Sequence, residues 1–342
     1  MHVAKRSEVS FFLLYLAKIE QNTTCGERAD ECSTFAKKGK RMNKGDTMSI
    51  TRTQFDILEA LVTAPCSTQR ALQERTGYSL GTVNRVLKEF SRDGYVDGRS
   101  VTAAGLSLLE PYRVKRAIFL AAGFGTRLVP ITLNTPKPLI RVGGERLIDA
   151  LIDAVLAVGI EEIIVVRGYL KEQFDQLLYK YPMIRFIDNP AYNEANNISS
   201  AMCVRELLGR AYVLEADLLL YNPSIIKKYH YTSNFLGIPK KRTDDWCFHV
   251  KDGIIREQRV GGEDCYQEVG ISYWNEEDGK KLARHIKECY NMPGGKERYW
   301  DQVPFVVFPK DYSVQIRECA EGDIVEIDTF RELKALDKSY NV

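Results

Sequence analysis

The chain has 342 residues, of which 44% are hydrophobic and 27% charged, the composition of a globular protein with room for about two domains. Its net charge of +2 argues against a general polyanion binder. The eight cysteines are scattered, without a CxxC pair or a paired histidine spacing. We therefore expect neither a zinc site nor a disulfide framework. We expect the protein to reside in the reducing cytoplasm.

The first 47 residues show no sustained hydrophobic period. An apolar run at 11–17 follows Lys5-Arg6 and ends at Lys18 after seven residues, which is too short to span a bilayer. We therefore predict a disordered extension over 1–47, no membrane anchor, and a true start at Met48.

Short amphipathic helices are predicted from Met48 onward. Apolar residues repeat at helical spacing over 55–62, and Ser67 opens a second helix that ends before a turn at Gly77. Ser79 can cap a third helix, the segment 94–99 has the composition of a wing, and Thr102 starts a further helix. The pattern resembles the winged helix-turn-helix of small transcription regulators and predicts such a domain over 48–112.

The third helix would present polar side chains to a DNA groove, namely those of Thr82, Asn84, Arg85 and Lys88. From Ser49 to Ser100, however, seven basic residues stand against six acidic ones, whereas DNA-binding modules usually carry a clearer positive surplus. Two interpretations therefore stay open for this domain: DNA binding, or a dimerising or purely appended role. The sequence does not determine the oligomeric state, and a homodimer is one of the open options.

From residue 113 a pattern of alternating strands and helices begins. An unbroken apolar run at 117–120 and largely apolar segments at 162–166, 184–187 and 211–214 are typical of parallel strands covered on both faces, and an amphipathic helix fills 147–158. This alternation predicts a doubly wound α/β fold with a mostly parallel sheet over 113–342, with ligands beyond the carboxyl ends of its strands. Segments at 246–250, 254–258 and 267–273 predict a small antiparallel insertion on the substrate side. Further helices are expected from 276 and over 330–338.

The first of these strands ends in a glycine turn with two cations nearby. Gly123, Gly125 and Arg127 belong to the turn, and Lys137 follows between two prolines. Glycines let backbone amides approach an anion, an arginine binds phosphate oxygens as a fork, and a lysine supplies a compact charge. The run lacks the third glycine of a dinucleotide fingerprint and the Gly-Lys-Ser/Thr end of a P-loop. We interpret this run as the binding site of a nucleoside triphosphate that loses pyrophosphate in the reaction. The alternative interpretation is an ordinary glycine-rich turn.

Carboxylates near other strand ends are candidate metal ligands. Asp217 follows the apolar run at 211–214, and Glu326 and Asp328 share one face of a short predicted strand. Magnesium held by one or two carboxylates and by phosphate oxygens is the natural metal for nucleotidyl transfer. The alternatives are a hydrogen-bonded rim carboxylate for Asp217 and the N-cap of the last helix for Asp328.

Together these motifs resemble those of the bacterial CTP:phosphocholine cytidylyltransferases, within the nucleotidyltransferase superfamily. The segments that carry the resemblance are 120–127, 135–139, 166–172, 189–190, 196–200, 215–217, 245–246, 299–301 and 326–328. The resemblance implies catalytic roles for Arg127, Lys137 and Asp217, with the two cations on the β- and γ-phosphates. It implies a metal site of Asp217, Glu326 and Asp328. It also implies a CTP site of Leu120, Ala122, Gly123, Gly125, Thr126, Arg127, Lys137, Tyr169, Asn189, Asn197 and Ser200.

One residue departs from the family's pattern: Ser199 stands where such enzymes often carry an aromatic side chain. For the acceptor, the predicted residues are Trp246, Tyr299, Trp300 and Asp301. A quaternary ammonium cannot donate hydrogen bonds, so aromatic faces and a carboxylate recognise it. We expect Trp274 in the core, and a core position is also the alternative for Trp246 and Trp300.

We therefore expect a cytoplasmic, magnesium-dependent enzyme that makes CDP-choline and pyrophosphate from CTP and phosphocholine, by in-line attack on the α-phosphate. Two alternatives stay open. The acceptor can be 2-aminoethylphosphonate or phosphoethanolamine, whose primary ammonium prefers carboxylates to an aromatic box. Otherwise the chain is a winged-helix regulator that senses a nucleotide without turnover, and such a sensor need not keep all of Arg127, Lys137, Asp217 and Asp328.

Overall fold

The computed structural model describes residues 49–63 and 68–341. The predicted extension over 1–47 and the predicted helix start at Ser67 lie outside these residues. Within the described residues, no helix combines the length and the apolar character needed to cross a membrane.

The amino-terminal part is a winged helix-turn-helix, as the sequence predicts. Thr68, Ser79 and Thr102 cap successive helices, and each side chain accepts a hydrogen bond from a backbone N–H of the first turn. Gly77 ends the helix that Thr68 caps, with a φ of 72°, a conformation that favours glycine. The elements are α1 (Arg52–Thr63), α2 (Gln69–Thr76), α3 (Leu80–Arg92), β1 (Val96–Asp97), β2 (Ser100–Val101) and α4 (Ala103–Leu109).

The rest of the described chain is built around one large sheet. Its elements are β3 (Arg116–Ala121), β4 (Arg141–Val142), β5 (Glu145–Arg146), α5 (Leu147–Ala157), β6 (Glu162–Arg167), β7 (Arg185–Asp188), α6 (Ile198–Val204), β8 (Ala211–Glu215), β9 (Leu218–Leu220), β10 (Asn234–Lys251), β11 (Ile254–Trp274), α7 (Glu276–Tyr290), β12 (Gln315–Glu318), β13 (Ile324–Glu326) and α8 (Phe330–Leu336).

The predicted apolar runs form the parallel centre of this sheet. The seven strands lie in the order β10, β12, β11, β8, β3, β6, β7, with parallel pairing from β8 to β7 and antiparallel pairing of β11 with β8. Phe119 packs into one apolar cluster and its neighbour Ile118 into another, so both faces of β3 are covered. The predicted α/β fold with a mostly parallel sheet is confirmed.

The antiparallel insertion differs from the prediction. The sequence indicated three short strands, whereas the structure has two long ones, β10 and β11, which pair across a turn at Asp252 and Gly253 with φ of 54° and 74°. The segments 254–258 and 267–273 therefore belong to one strand. The glycines and acidic residues at 261–264 continue the pairing with register shifts and are partly open to solvent.

Aromatic side chains join the winged helix to the sheet-containing region. Phe55 of α1 packs against Tyr112 and Tyr231 with ring centroids 5.0 and 5.4 Å apart, and the two tyrosine rings stack at 5.3 Å. The hydroxyl of Tyr231 donates a hydrogen bond to the carbonyl oxygen of Ile50 at 3.2 Å. The contacts are continuous enough that residues from Ser49 onward form one compact unit.

This interface predicts a graded loss of stability. Tyr231→Ala should lower the free energy of unfolding of the full chain by about 2–4 kcal/mol because ring packing is lost, while Tyr231→Phe should cost only about 1 kcal/mol for one hydrogen bond. Urea unfolding followed by circular dichroism measures both. Tyr179→Ala is the control, because that side chain is 95% exposed. Equal stability of Tyr231→Ala and the control would contradict the interface.

Candidate active site

A cavity of about 780 Å³ opens beyond the carboxyl ends of β3 and β8. This is the sheet edge at which doubly wound folds bind ligands. Most of the predicted site residues line it, although they come from distant parts of the chain. They are Leu120, Ala122, Gly123, Gly125, Thr126, Arg127, Lys137, Asn189, Asn197, Ser200, Asp217, Trp246, Tyr299, Asp301, Glu326 and Asp328.

The glycine turn lies directly after β3. Gly125 has a φ of 64°, and a Cβ there would lie 3.0 Å from the Cγ2 of Thr132 and 3.2 Å from the Cβ of Lys137. The same turn is closed by a hydrogen bond from the Oγ1 of Thr132 to the carbonyl oxygen of Gly125 at 2.9 Å. A Cβ on Gly123 would meet nothing within 4 Å, so the backbone there is open to the cavity. The turn can therefore hold an anion against its amides.

Two cations face the carboxylates across the cavity. The Nζ of Lys137 lies 2.8 Å from the Oδ2 of Asp217 and 3.2 Å from the Oδ1 of Asp328, and an Nη2 of Arg127 lies 2.7 Å from the same oxygen of Asp328. Burial lowers the pKa of Lys137, but the charges of Asp217, Glu326 and Asp328 outweigh it and raise the pKa above its usual value. Lys137 is therefore charged and paired with carboxylates.

Three carboxylates converge beside Lys137. Glu215, Asp217 and Glu326 each place one oxygen within 4.8 Å of the others. Burial, followed by the charge of Asp217, raises the pKa of Glu215 to about 8. The same two causes raise the pKa of Glu326, whose side chain is more open to solvent, so that water screens part of its repulsion.

These carboxylates fit a divalent metal. The Oδ1 of Asp217 is buried without a hydrogen-bond partner, and the crowded negative charges are what a hard cation with oxygen ligands compensates. Glu215 was missed by the sequence interpretation, although its position two residues before Asp217 puts both side chains on one side of the chain. Asp328, also predicted as a ligand, pairs with Arg127 and Lys137, and its metal role stays a prediction.

The alternative that Asp328 caps the last helix is wrong. Thr329 is the N-cap of α8: its side chain accepts from the backbone N–H of Glu332 at 3.2 Å, and the Glu332 side chain accepts from the N–H of Thr329. The carboxylate of Asp328 is therefore free to face the cavity, one residue before the helix cap.

The residues predicted around cytosine and ribose form one connected wall. Asn189 is buried and donates from Nδ2 to the Oγ of Ser199 at 2.9 Å and to the Oγ of Ser200 at 3.1 Å. Asn197 accepts at Oδ1 from the backbone N–H of Trp300 at 2.9 Å. The hydroxyl of Ser199 thus takes part in fixing the wall where the family often has an aromatic residue.

Tyr169 does not line the cavity. Its hydroxyl donates to the carbonyl oxygen of Thr132 at 2.9 Å, and its ring packs on Phe124 at a centroid distance of 5.0 Å. It therefore supports the glycine turn from outside the cavity, which corrects its predicted place at the base. Tyr192, which the sequence interpretation missed, lines the cavity and packs on the other side of Phe124 at 5.3 Å.

The far end of the cavity is acidic and aromatic. Trp246 and Tyr299 lie edge to face with ring centroids 5.8 Å apart. Beside them, the Nε2 of Gln258 donates to the Oε2 of Glu268 at 2.8 Å and to the Oδ2 of Asp301. Burial, and then the charge of Asp301, raise the pKa of Glu268 well above its usual range, and burial raises the pKa of Asp301. A ligand cation would relieve this repulsion.

The prediction that Trp300 binds the acceptor is wrong. Its side chain is 2% exposed and its ring packs in the core against Phe235 at 6.2 Å and Trp274 at 6.0 Å. Its neighbours Tyr299 and Asp301 line the cavity, because successive residues of this segment point to opposite sides. Trp274 is fully buried, as expected.

The four predicted DNA-contacting residues lie on α3, outside the cavity. Arg85 and Lys88 are exposed, and Thr82 and Asn84 are partly so. Arg85 pairs with Glu89 at 2.9 Å, which offsets part of the positive charge of this face. DNA contact by these residues stays a prediction.

Comparison with known proteins supports the same division of the chain. A family profile described as nucleotidyl transferase matches residues 116–228, and one described as winged helix-turn-helix DNA-binding matches residues 50–97. A 2-aminoethylphosphonate cytidylyltransferase from Lancefieldella rimae is 39% identical over 229 residues, which are 66% of this chain and 92% of that protein. A choline-phosphate cytidylyltransferase from Streptococcus pneumoniae is 32% identical over 224 residues, or 65% of this chain and 97% of that protein.

A solved structure of the CTP:phosphocholine cytidylyltransferase from Streptococcus pneumoniae has the same fold. It matches with a TM-score of 0.62 at 32% identity and covers 66% of this chain and 99% of that chain. The chain therefore belongs to the nucleotidyl transferase family and is a cytidylyltransferase that carries a winged helix-turn-helix domain before its catalytic domain.

Proposed function

We propose that this enzyme transfers the cytidylyl group of CTP to a small phosphonate or phosphate that carries a primary ammonium, with 2-aminoethylphosphonate as the leading acceptor. The observation that carries the proposal is the pair of buried carboxylates, Glu268 and Asp301, at the far end of the cavity. A primary ammonium has three N–H donors for such a pair. The 39% identity to a 2-aminoethylphosphonate cytidylyltransferase supports the same acceptor.

The position of Trp300 also favours a primary ammonium. An aromatic box for a quaternary ammonium needs several ring faces around the cation. With the Trp300 ring in the core, two of the three predicted aromatic residues remain at the cavity, Trp246 and Tyr299. Carboxylates therefore dominate this end of the cavity.

Phosphocholine is the second candidate acceptor. The edge-to-face pair of Trp246 and Tyr299 next to Asp301 suits a methylated ammonium, as the sequence interpretation expected. The 32% identity to a choline-phosphate cytidylyltransferase supports this candidate.

In the proposed reaction the chain positions two anions and stabilises the leaving group. Arg127, Lys137 and the amides of the glycine turn bind the β- and γ-phosphates, and Asn189, Asn197 and Ser200 form the wall beside the nucleoside. An oxygen of the acceptor's phosphonate forms a bond to the α-phosphorus while the bond to the β-phosphate oxygen breaks, and pyrophosphate leaves with the electron pair. The phosphonate oxygen is already anionic, so no general base is required, and catalysis is positioning and electrostatics.

Magnesium is the proposed cofactor, held by Asp217 and Glu326 with Glu215, and with Asp328 as the further predicted ligand. When bound, it neutralises triphosphate charge. A nucleotide sensor without turnover is disfavoured because Arg127, Lys137, Asp217 and Asp328 are all present in one cavity. Cytoplasmic location and a homodimer stay predictions.

Acceptor choice can be measured by pyrophosphate release from CTP and Mg2+ with 2-aminoethylphosphonate, phosphoethanolamine or phosphocholine. We expect the two primary amines to be used best. Asp301→Asn should raise their KM about tenfold or more, because one charged hydrogen bond is lost, and leave the KM for CTP unchanged. If phosphocholine is the best acceptor, the proposal for 2-aminoethylphosphonate is wrong and phosphocholine is the acceptor. If no acceptor releases pyrophosphate, the sensor hypothesis takes the place of the enzyme.

The metal assignment is tested by Asp217→Asn. Turnover should fall at least about 100-fold, because a metal supplies several kcal/mol of charge stabilisation, while circular dichroism should show an unchanged fold. Asp244→Asn is the matched control, since the Asp244 side chain is 95% exposed. A wild-type rate in Asp217→Asn would remove this residue from the metal site.

Metal-free enzyme should lose stability as pH rises from about 4.5 to about 8. Over this range the folded protein keeps a proton on Glu215 that the unfolded chain has already released, so rising pH favours unfolding. Thermal melts should show a Tm that falls as pH rises. Mg2+ and Glu215→Gln should each reduce this fall, whereas Glu145→Gln, at an exposed glutamate elsewhere, should not. A pH slope that Glu215→Gln leaves unchanged would contradict this origin.

A further inference from the structure

A second set of metal-binding side chains converges on the β10–β11 ribbon, outside the cavity. Cys247 and His249 are two residues apart on β10, and Cys265 lies on β11. The three meet around Gly262: a Cβ on this glycine would lie 2.9 Å from the Sγ of Cys247, 3.2 Å from the Sγ of Cys265 and 3.2 Å from the Nε2 of His249. Only a residue without a side chain leaves room at this point.

The two thiols interact with each other, whereas the buried imidazole nitrogen has no partner among the described residues. Cys247 and Cys265 are buried and are free thiols. The Nε2 of His249 is buried and has no hydrogen-bond partner, which is unusual because buried polar atoms are nearly always paired. Burial and the neighbouring Cys265 thiol raise the pKa of Cys247 to about 11, so a bound cation has to supply the charge that stabilises its thiolate.

We propose that Cys247, Cys265 and His249 bind a thiophilic cation, with Zn2+ the metal that this donor set suits, and with solvent as the fourth ligand. Two thiolates and one imidazole nitrogen are soft and borderline ligands that select zinc over magnesium. The two thiol protons leave to solvent on binding. His249 and Gly262 are both partly exposed, which provides a path for the ion.

Binding would also brace the wall of the active site. Among the described residues, only the carboxylate cluster has its donor atoms all within 4.8 Å of one another, so the two thiols and the imidazole must draw together around the ion. Cys247 directly follows Trp246, which lines the acceptor end of the cavity. A bound ion would therefore restrain the part of β10 that presents Trp246 and Asp245.

Cobalt(II) titration of the full-length, reduced and chelator-treated protein tests the proposal. Cobalt in the proposed site should give a thiolate-to-metal charge-transfer band in the near ultraviolet, which one equivalent of Zn2+ removes. Cobalt on the magnesium site has oxygen ligands only and gives no such band. The band should persist in Asp217→Asn, which separates this test from that of the proposed function.

Variants identify the ligands. Cys265→Ser should abolish the band, and His249→Gln, at a partly exposed position, should weaken cobalt affinity at least about tenfold. Cys203→Ser, at a free thiol outside the set, is the matched control and should behave as wild type. Circular dichroism confirms that each variant is folded. No band in wild type with its thiols reduced, or a band that survives in Cys265→Ser, would overturn the proposal.

Discussion

The pairing of Lys137 with two carboxylates is the interaction on which the active site depends. In the structure its ammonium lies between Asp217 and Asp328, and Arg127 holds Asp328 from the other side. Buried charges are tolerated only when they are paired, so cations and carboxylates stabilise each other while no nucleotide is bound. A triphosphate brings anions for the cations, and a divalent metal brings charge for the carboxylates. With the proposed triphosphate and metal bound, the charges of the cavity would again be paired, and in the structure these cations and carboxylates keep each other in place.

The fold places these charges by simple pairing rules. Asp217 lies between β8 and β9, and β13 pairs antiparallel with β9 so that Glu326 lies opposite Leu218, the residue after Asp217. Parallel pairing of β3 with β8 sets Leu120 opposite Glu215 and carries the glycine turn to the same sheet edge. Residues about 200 positions apart in sequence thus meet because three strand ends coincide.

Local patterns in the sequence predicted the elements that bury apolar side chains, and motif chemistry predicted most of the cavity wall. The parallel strands have continuous apolar runs and the helices have capping residues, so both are encoded within a few residues. The position of Trp300 could not be predicted this way. It is a single aromatic residue in an irregular segment, where no periodic pattern indicates whether the side chain faces the core or the cavity. Glu268 was missed for a related reason: it is one polar residue among many on a ribbon that is partly open to solvent, and its neighbour Asp301 comes from a distant segment.

The cavity offers partners for both charges of the proposed zwitterionic acceptor. Arg127 and Lys137 line it together with Glu268 and Asp301. A phosphonate with an ammonium two carbons away can place its anion toward the nucleotide and its cation on the carboxylates, so that its own charges orient it. A sugar phosphate has no cation for Glu268 and Asp301, so it would leave this buried pair without a charged partner. Sites built to bind a polar group reject analogues that lack it more strongly than sites that recognise shape alone. Under the proposed function, the buried acid pair is the specificity element, and the paired aromatic rings shape the space around the ammonium.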